Sequence, residues 1–123
     1  MQNCLFVGIG GFAGAVLRYL IGLAPVRETM VFPVKTFVIN ILGCILIGCI
    51  AAIMAKDTNA PLSPRTVLLL KTGVCGGFTT FSTFALETAD LIKDGHSGTA
   101  AVYAGLSVVI GTGAVFLTEM FMK

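Results

Sequence analysis

The sequence predicts an all-α integral membrane protein with four transmembrane helices, the third broken near its centre. Three observations carry that reading. Of the 123 residues, 56% are hydrophobic and only 11% are charged, and the mean hydropathy is +0.97. An ordinary soluble domain carries about 25% charged residues, so this chain cannot cover a globule of its own size with polar surface. Four apolar runs succeed one another along the chain, each close to the ~20 residues that a helix needs to cross a hydrocarbon core. The third run contains "VCGGFTTFSTF" (74–84), a mixture of glycine, hydroxyl and aromatic residues that a lipid-facing helix avoids.

The first span is expected over 4–24 and ends at Pro25. No Lys or Arg precedes it and three similar runs come after it, so it reads as a retained span and not as a signal peptide. Its "GIGGFAG" satisfies G-x-G-x-x-A through Gly8, Gly10 and Ala13, with Glu28 placed as a ribose-binding acid would be. No strand precedes these glycines, however. Gly10 and Gly14 stand instead in the G-x-x-x-G relation of closely packed membrane helices. Arg18, near the end of this span, either snorkels to the headgroups or faces an aqueous vestibule.

The second span, 36–55, stops at "KDTNAPLSP", a turn-rich connection with two prolines. Asn40, in "TFVINILG", has two possible uses. Its amide makes an interhelical hydrogen bond, or it donates N–H to an anion. Gly43, on the next turn, lets a neighbouring backbone approach.

The third span is the irregular one. Only fifteen uncharged residues separate Lys71 from Glu87, which as a helix reach about 22 Å, short of a ~30 Å core. Extended to 67–92 the segment is long enough, but it then encloses charges and the Gly-Gly-Phe-Thr-Thr stretch. A break near 75–80, made by the glycines, reconciles the two facts. Such a break is tolerated at membrane depth only beside protein or a water-filled cavity. Phe81 and Phe84 share one helical face. They pack as an ordinary aromatic pair, or their positive ring edges line a path for a small anion beside the hydroxyls of Thr79, Thr80, Ser82 and Thr83. Glu87, one turn beyond Phe84, is read as solvated or as a helix cap.

The fourth span covers 99–122. Tyr103, Ser107 and Gly111 recur every four residues along one face, as a packing seam or a polar lane.

Several function classes fall away. Cys4, Cys44, Cys49 and Cys75 form no CxxC pair and have no metal-like spacing with His96, so they read as reduced packing residues. His96 lies in polar "KDGHSG" and is expected to be solvated. No catalytic constellation is present, so an enzyme is not expected. The net charge of +2, with no basic run, argues against nucleic acid.

The basic residues divide evenly between the two sides of the bilayer. Lys56, Arg65, Lys71 and Lys123 fall near one, and Arg18, Arg27, Lys35 and Lys93 near the other. The positive-inside rule then assigns no orientation, and oppositely inserted copies can pair as an antiparallel two-fold homodimer.

"GGFAGAVLRY" (10–19), "TFVINILG" (36–43) and above all "GVCGGFTTFSTF" (73–84) resemble the three signature blocks of the Fluc (CrcB) fluoride channels. The resemblance implies an antiparallel dual-topology homodimer in the plasma (inner) membrane, with two fluoride pores. It implies a passive, highly selective channel that exports cytoplasmic fluoride down its electrochemical gradient and so protects the cell from fluoride. It also implies a structural sodium ion at the centre of the dimer, held by backbone carbonyls that map to Gly76 and Thr79. The pore residues map to Asn40, Phe81, Ser82, Thr83, Phe84, Tyr103 and Ser107, with Arg18 in the vestibule and Glu87 beside the pore. Gly111 stands where the family usually has a serine, and Lys35 where a glycine is common. Small multidrug exporters share the length and span number, but they depend on a glutamate in the first span, which has no acid here. A non-conducting assembly subunit would leave the Thr-Thr-Phe-Ser-Thr-Phe run without a purpose.

Overall fold

The computed structural model describes residues 1–26, 31–56 and 62–122. Arg27 and Lys123 of the charge tally, the acid Glu28 and residues 57–61 of the polar connection lie outside the described residues. Helices α1 (Gln2–Gly22) and α2 (Val34–Lys56) come first. Next is a composite segment: α3 (Pro64–Val67), a π-helical stretch (Leu68–Cys75) and a last turn, α4 (Gly76–Phe78). Helices α5 (Phe81–Lys93) and α6 (Ser97–Phe121) complete the chain. Among the described residues, four segments are long and apolar enough to cross a membrane, the third being Pro64–Lys93. Their ends lie within three residues of the limits expected from sequence.

Large apolar side chains cover the outside. Phe12, Tyr19, Val109, Phe116 and Phe121 are all exposed, as suits a lipid-facing surface and not a water-facing one. Between helices in lipid there is no hydrophobic gain, so association rests on close van der Waals contact and hydrogen bonds. The glycines supply that contact. Helix α1 packs along the first half of the third span. A Cβ on Gly10 would run into the Leu69 carbonyl and come within 2.9 Å of Gly73 Cα. One on Gly14 would strike the Val74 carbonyl and lie 2.8 Å from the Phe78 nitrogen. The helix-packing reading of "GIGGFAG" therefore holds. On the other side of the molecule α2 packs against α6, and α5 also leans on α6. Gly111 is buried there, with Cys44 Sγ 3.2 Å from where its Cβ would stand, so it belongs to a packing seam.

The ends of the third span are set by local signals. Ser63 caps α3, its hydroxyl accepting from the Thr66 N–H at 3.2 Å, and Pro64 takes the first helical position. After α5 the chain reverses through Gly95, the one described glycine with positive φ (+83°). The His96 N–H donates to Leu91 O at 2.7 Å and the Gly95 N–H to Ile92 O at 3.2 Å, the paired bonds of a glycine-terminated helix. His96 itself is exposed, as expected.

The break falls within the expected 75–80, but its cause differs from the one the sequence suggests. Gly76 is helical (φ −63°, ψ −36°), whereas Thr79 (φ −80°, ψ 157°) and Thr80 (φ −148°, ψ 110°) are extended. The threonines break the helix and the glycines do not. Threonine is stiff at χ1 and bonds its own backbone, both of which favour leaving a helix. Thr79 Oγ1 donates back to Cys75 O at 2.9 Å, and Thr80 Oγ1 accepts from the Thr83 N–H at 3.2 Å, capping α5. Gly77 serves packing: a Cβ there would lie 3.0 Å from Gly11 Cα.

Candidate functional site

Asn40 holds the break from the neighbouring helix. Its Oδ1 accepts from the Thr80 N–H at 2.8 Å, and its Nδ2 donates to Thr80 O at 3.2 Å. In a continuous helix the Thr80 N–H would bond the carbonyl of Gly76. Giving that N–H to Asn40 frees the Gly76 carbonyl. An amide nitrogen carries two protons, so one N–H of Asn40 remains after this pair is made. Both sequence readings of the side chain are thus compatible in a single geometry. Gly43 makes room for the arrangement, since a Cβ there would collide with the Thr79 methyl.

Beside the break lies a cavity of about 420 Å³, lined by α2, both halves of the third span and α6. Asn40, Thr79, Thr80, Phe81, Phe84 and Ser107 all reach it. Ser107 Oγ is buried and has no hydrogen-bond partner among the described residues. A buried hydroxyl left unpaired costs about 1–3 kcal/mol, so such a group marks a place where a ligand or water belongs. Phe81 is 80% exposed. Its ring centroid is 5.8 Å from that of Phe84, the planes tilted by 43°. Phe84 in turn meets Tyr103 edge to face at 5.0 Å.

Behind the phenylalanines Glu87 is held between two hydroxyls. Thr36 Oγ1 donates to its Oε1 at 2.7 Å and the Tyr103 hydroxyl to its Oε2, also at 2.7 Å. Tyr103 is completely buried and Thr36 nearly so. Glu87 is therefore neither freely solvated nor a helix cap. It ties α2, α5 and α6 together under the aromatic cluster of Phe32, Phe37 and Phe84.

Residues 5–118 match the family model described as CrcB-like protein, Camphor Resistance (CrcB). The chain belongs to the CrcB family. A CrcB relative from Chlorobaculum tepidum, named "Fluoride-specific ion channel FluC", is 46% identical over the whole of this chain and 96% of its own length. One of the same name from Novosphingobium aromaticivorans is also 46% identical, over 100% of this chain and 98% of the relative. A third, from Azobacteroides pseudotrichonymphae, is 39% identical over 98% and 99%. CrcB is a family of ion channels and not of enzymes.

Within this CrcB chain the sequence-predicted residues fall into three groups. Asn40, Phe81, Phe84 and Ser107 meet at the cavity, together with Gly76 of the last helical turn and Thr79 at the break. Ser82 and Thr83 lie in the hydroxyl network that starts α5, Thr83 Oγ1 3.0 Å and Ser82 Oγ 3.4 Å from Thr80 Oγ1. Tyr103 and Glu87 form the hydrogen-bonded pair behind. Arg18, half-buried on α1, does not line this cavity. Sequence reasoning missed Thr36 as a ligand of Glu87. It also missed Lys71, Cys44 and Cys75 as cavity-lining groups. The signal for Lys71 was visible, a charge inside the only length that lets the third segment cross.

Proposed function

We propose that this CrcB chain is a passive, fluoride-selective channel that lets cytoplasmic fluoride leave the cell down its electrochemical gradient. One observation carries the reading: the cavity beside the break offers a spare amide N–H, an unpaired buried hydroxyl and phenylalanine rings, and no carboxylate among the described residues lines it. Fluoride is small and strongly hydrated, and a path for it must replace that water with donors. Neutral donors and positive ring edges hold an anion weakly enough to let it leave again. HF crosses lipid from an acidic exterior and dissociates in the more alkaline cytoplasm, and the membrane potential then drives the trapped anion outward. The names of the relatives support the same substrate.

The working unit in this reading is an antiparallel homodimer in the plasma membrane. The even division of basic residues supports insertion in both orientations, and the exposure of Phe81, a large apolar side chain that lines the cavity, supports its being covered by a second copy. A sodium ion at the dimer centre fits the donor set. The Gly76 carbonyl is released by the Asn40–Thr80 bond, and the Thr79 carbonyl belongs to the extended backbone just after the helical turn. Unwound carbonyls are suitable oxygen ligands for a monovalent cation, which would fix the break and join the two copies.

The channel reading is tested with purified protein in liposomes loaded with potassium fluoride or potassium chloride. On adding valinomycin, fluoride is expected to leave rapidly and chloride to stay. Retention of both would remove the reading. In the same assay Phe81→Ile and Phe84→Ile are expected to lower fluoride flux by about tenfold or more, the effect of ~1.4 kcal/mol on the barrier, with assembly intact. Normal flux in both variants would rule out the ring edges as part of the path. Tags added after Lys123 should appear on both faces of the membrane, and tags confined to one face would argue against dual insertion.

A further inference from the structure

We propose that Lys71 is the anion-recruiting group of this cavity, a role that rests on the channel reading above. Lys71 sits in the π-helical stretch, eight residues before the break, inside the segment that crosses the membrane. It lines the same cavity as Asn40, Phe81 and Ser107, and among the described residues it is the one charged group that does so. No ion pair or hydrogen bond of Lys71 is present among the described residues. The acids that follow it on the third span are engaged elsewhere: Glu87 with Thr36 and Tyr103, and Asp90 with Lys93 at 3.5 Å.

A lysine within a membrane span is costly unless it faces water or an opposite charge. Here the walls are largely apolar, and low-dielectric walls focus the field of a single charge along the cavity instead of letting water disperse it. The focused field raises the local concentration of anions at the one place where unpaired donors wait, the Ser107 hydroxyl and the Asn40 amide. The π-helical stretch bears on this placement. A π turn holds an extra residue, which rotates the succeeding turns around the helix axis, and such turns gather at functional positions. An anion drawn by Lys71 need not bind it tightly. The ammonium increases the rate of arrival, and the neutral donors further in select the ion.

The test is flux as a function of ionic strength, because screening removes a recruiting field and leaves short-range contacts in place. The Debye length shrinks from about 30 Å at 0.01 M to about 3 Å at 1 M salt. Liposome efflux at sub-saturating fluoride is measured across that range, set with an impermeant salt, for the unmodified protein, Lys71→Gln and Lys71→Arg. At low salt Lys71→Gln is expected to conduct roughly three- to tenfold less than the unmodified protein, a modest share of what focused fields achieve. The difference should close at high salt, and Lys71→Arg should keep both the flux and its salt dependence. The ratio of low-salt to high-salt flux is taken within one preparation, so a lower folded fraction in Lys71→Gln does not affect it. Equal ratios for Lys71→Gln and the unmodified protein would overturn the role of Lys71 and leave the channel reading standing. An unmodified protein that conducts no fluoride at any salt would overturn both.

Discussion

Asn40→Ala is expected to abolish fluoride efflux and to lower the thermal stability of the purified protein. The side chain makes two hydrogen bonds to one residue's backbone, to the Thr80 N–H and to Thr80 O. Thr80 is buried, so truncation leaves a donor and an acceptor unpaired, each at about 1–3 kcal/mol. The cavity also loses the amide N–H that remained for an anion. Asn40→Asp separates the two contributions. The carboxylate keeps the acceptor for the Thr80 N–H, loses the donor to Thr80 O and places negative charge in an anion path. It should recover part of the lost stability without recovering flux. Wild-type flux together with a wild-type melting temperature in Asn40→Ala would show that the break stands without this support.

Gly14→Val is expected to prevent the chain from folding, with loss of the monodisperse species on size exclusion. Any Cβ at Gly14 collides with the Val74 carbonyl and approaches the Phe78 nitrogen to 2.8 Å. Both are backbone atoms, which cannot rotate aside as a side chain can. Helix α1 would have to withdraw from the third span along its length, and in lipid no hydrophobic force restores contact at the wider spacing. Gly8→Ala provides the control, since a Cβ there meets nothing within 4 Å. If Gly14→Val runs as a single species with unaltered stability, the glycine contacts do not hold α1 in place.

The four spans were legible because each is a length and a composition, and both are properties of one segment. The break was legible for the same reason, as a shortfall between Lys71 and Glu87. Its cause was misplaced onto Gly76 and Gly77 because glycine has a strong local preference, while the bond that stabilises the extended Thr80 comes from Asn40, forty residues away. Glu87 failed similarly. A carboxylate one turn beyond Phe84 looks like an interfacial charge until α2 and α6 bring Thr36 and Tyr103 to it. Tyr103 and Ser107 share a helix face, yet Tyr103 points its hydroxyl to Glu87 while Ser107 reaches the cavity. Periodicity places two residues in line, but it does not decide what each one touches. The π-helical stretch 68–75 left no trace in the sequence, because a change from four-residue to five-residue bonding alters no composition.

The two-residue break has an electrical consequence. The segment before it ends at Phe78, leaving its last carbonyls on the side of the break, and α5 begins at Phe81, leaving its first N–H groups on that side too. Aligned peptide dipoles place about half a negative charge at the first end and about half a positive charge at the second. One interruption thus creates two opposite poles, one favourable to a cation and the other to an anion, with only Thr79 and Thr80 between them. A continuous helix would have neither. Because both poles belong to the same interruption, a substitution that restored helical backbone at Thr80 would remove them together, and neither could be lost while the other was kept.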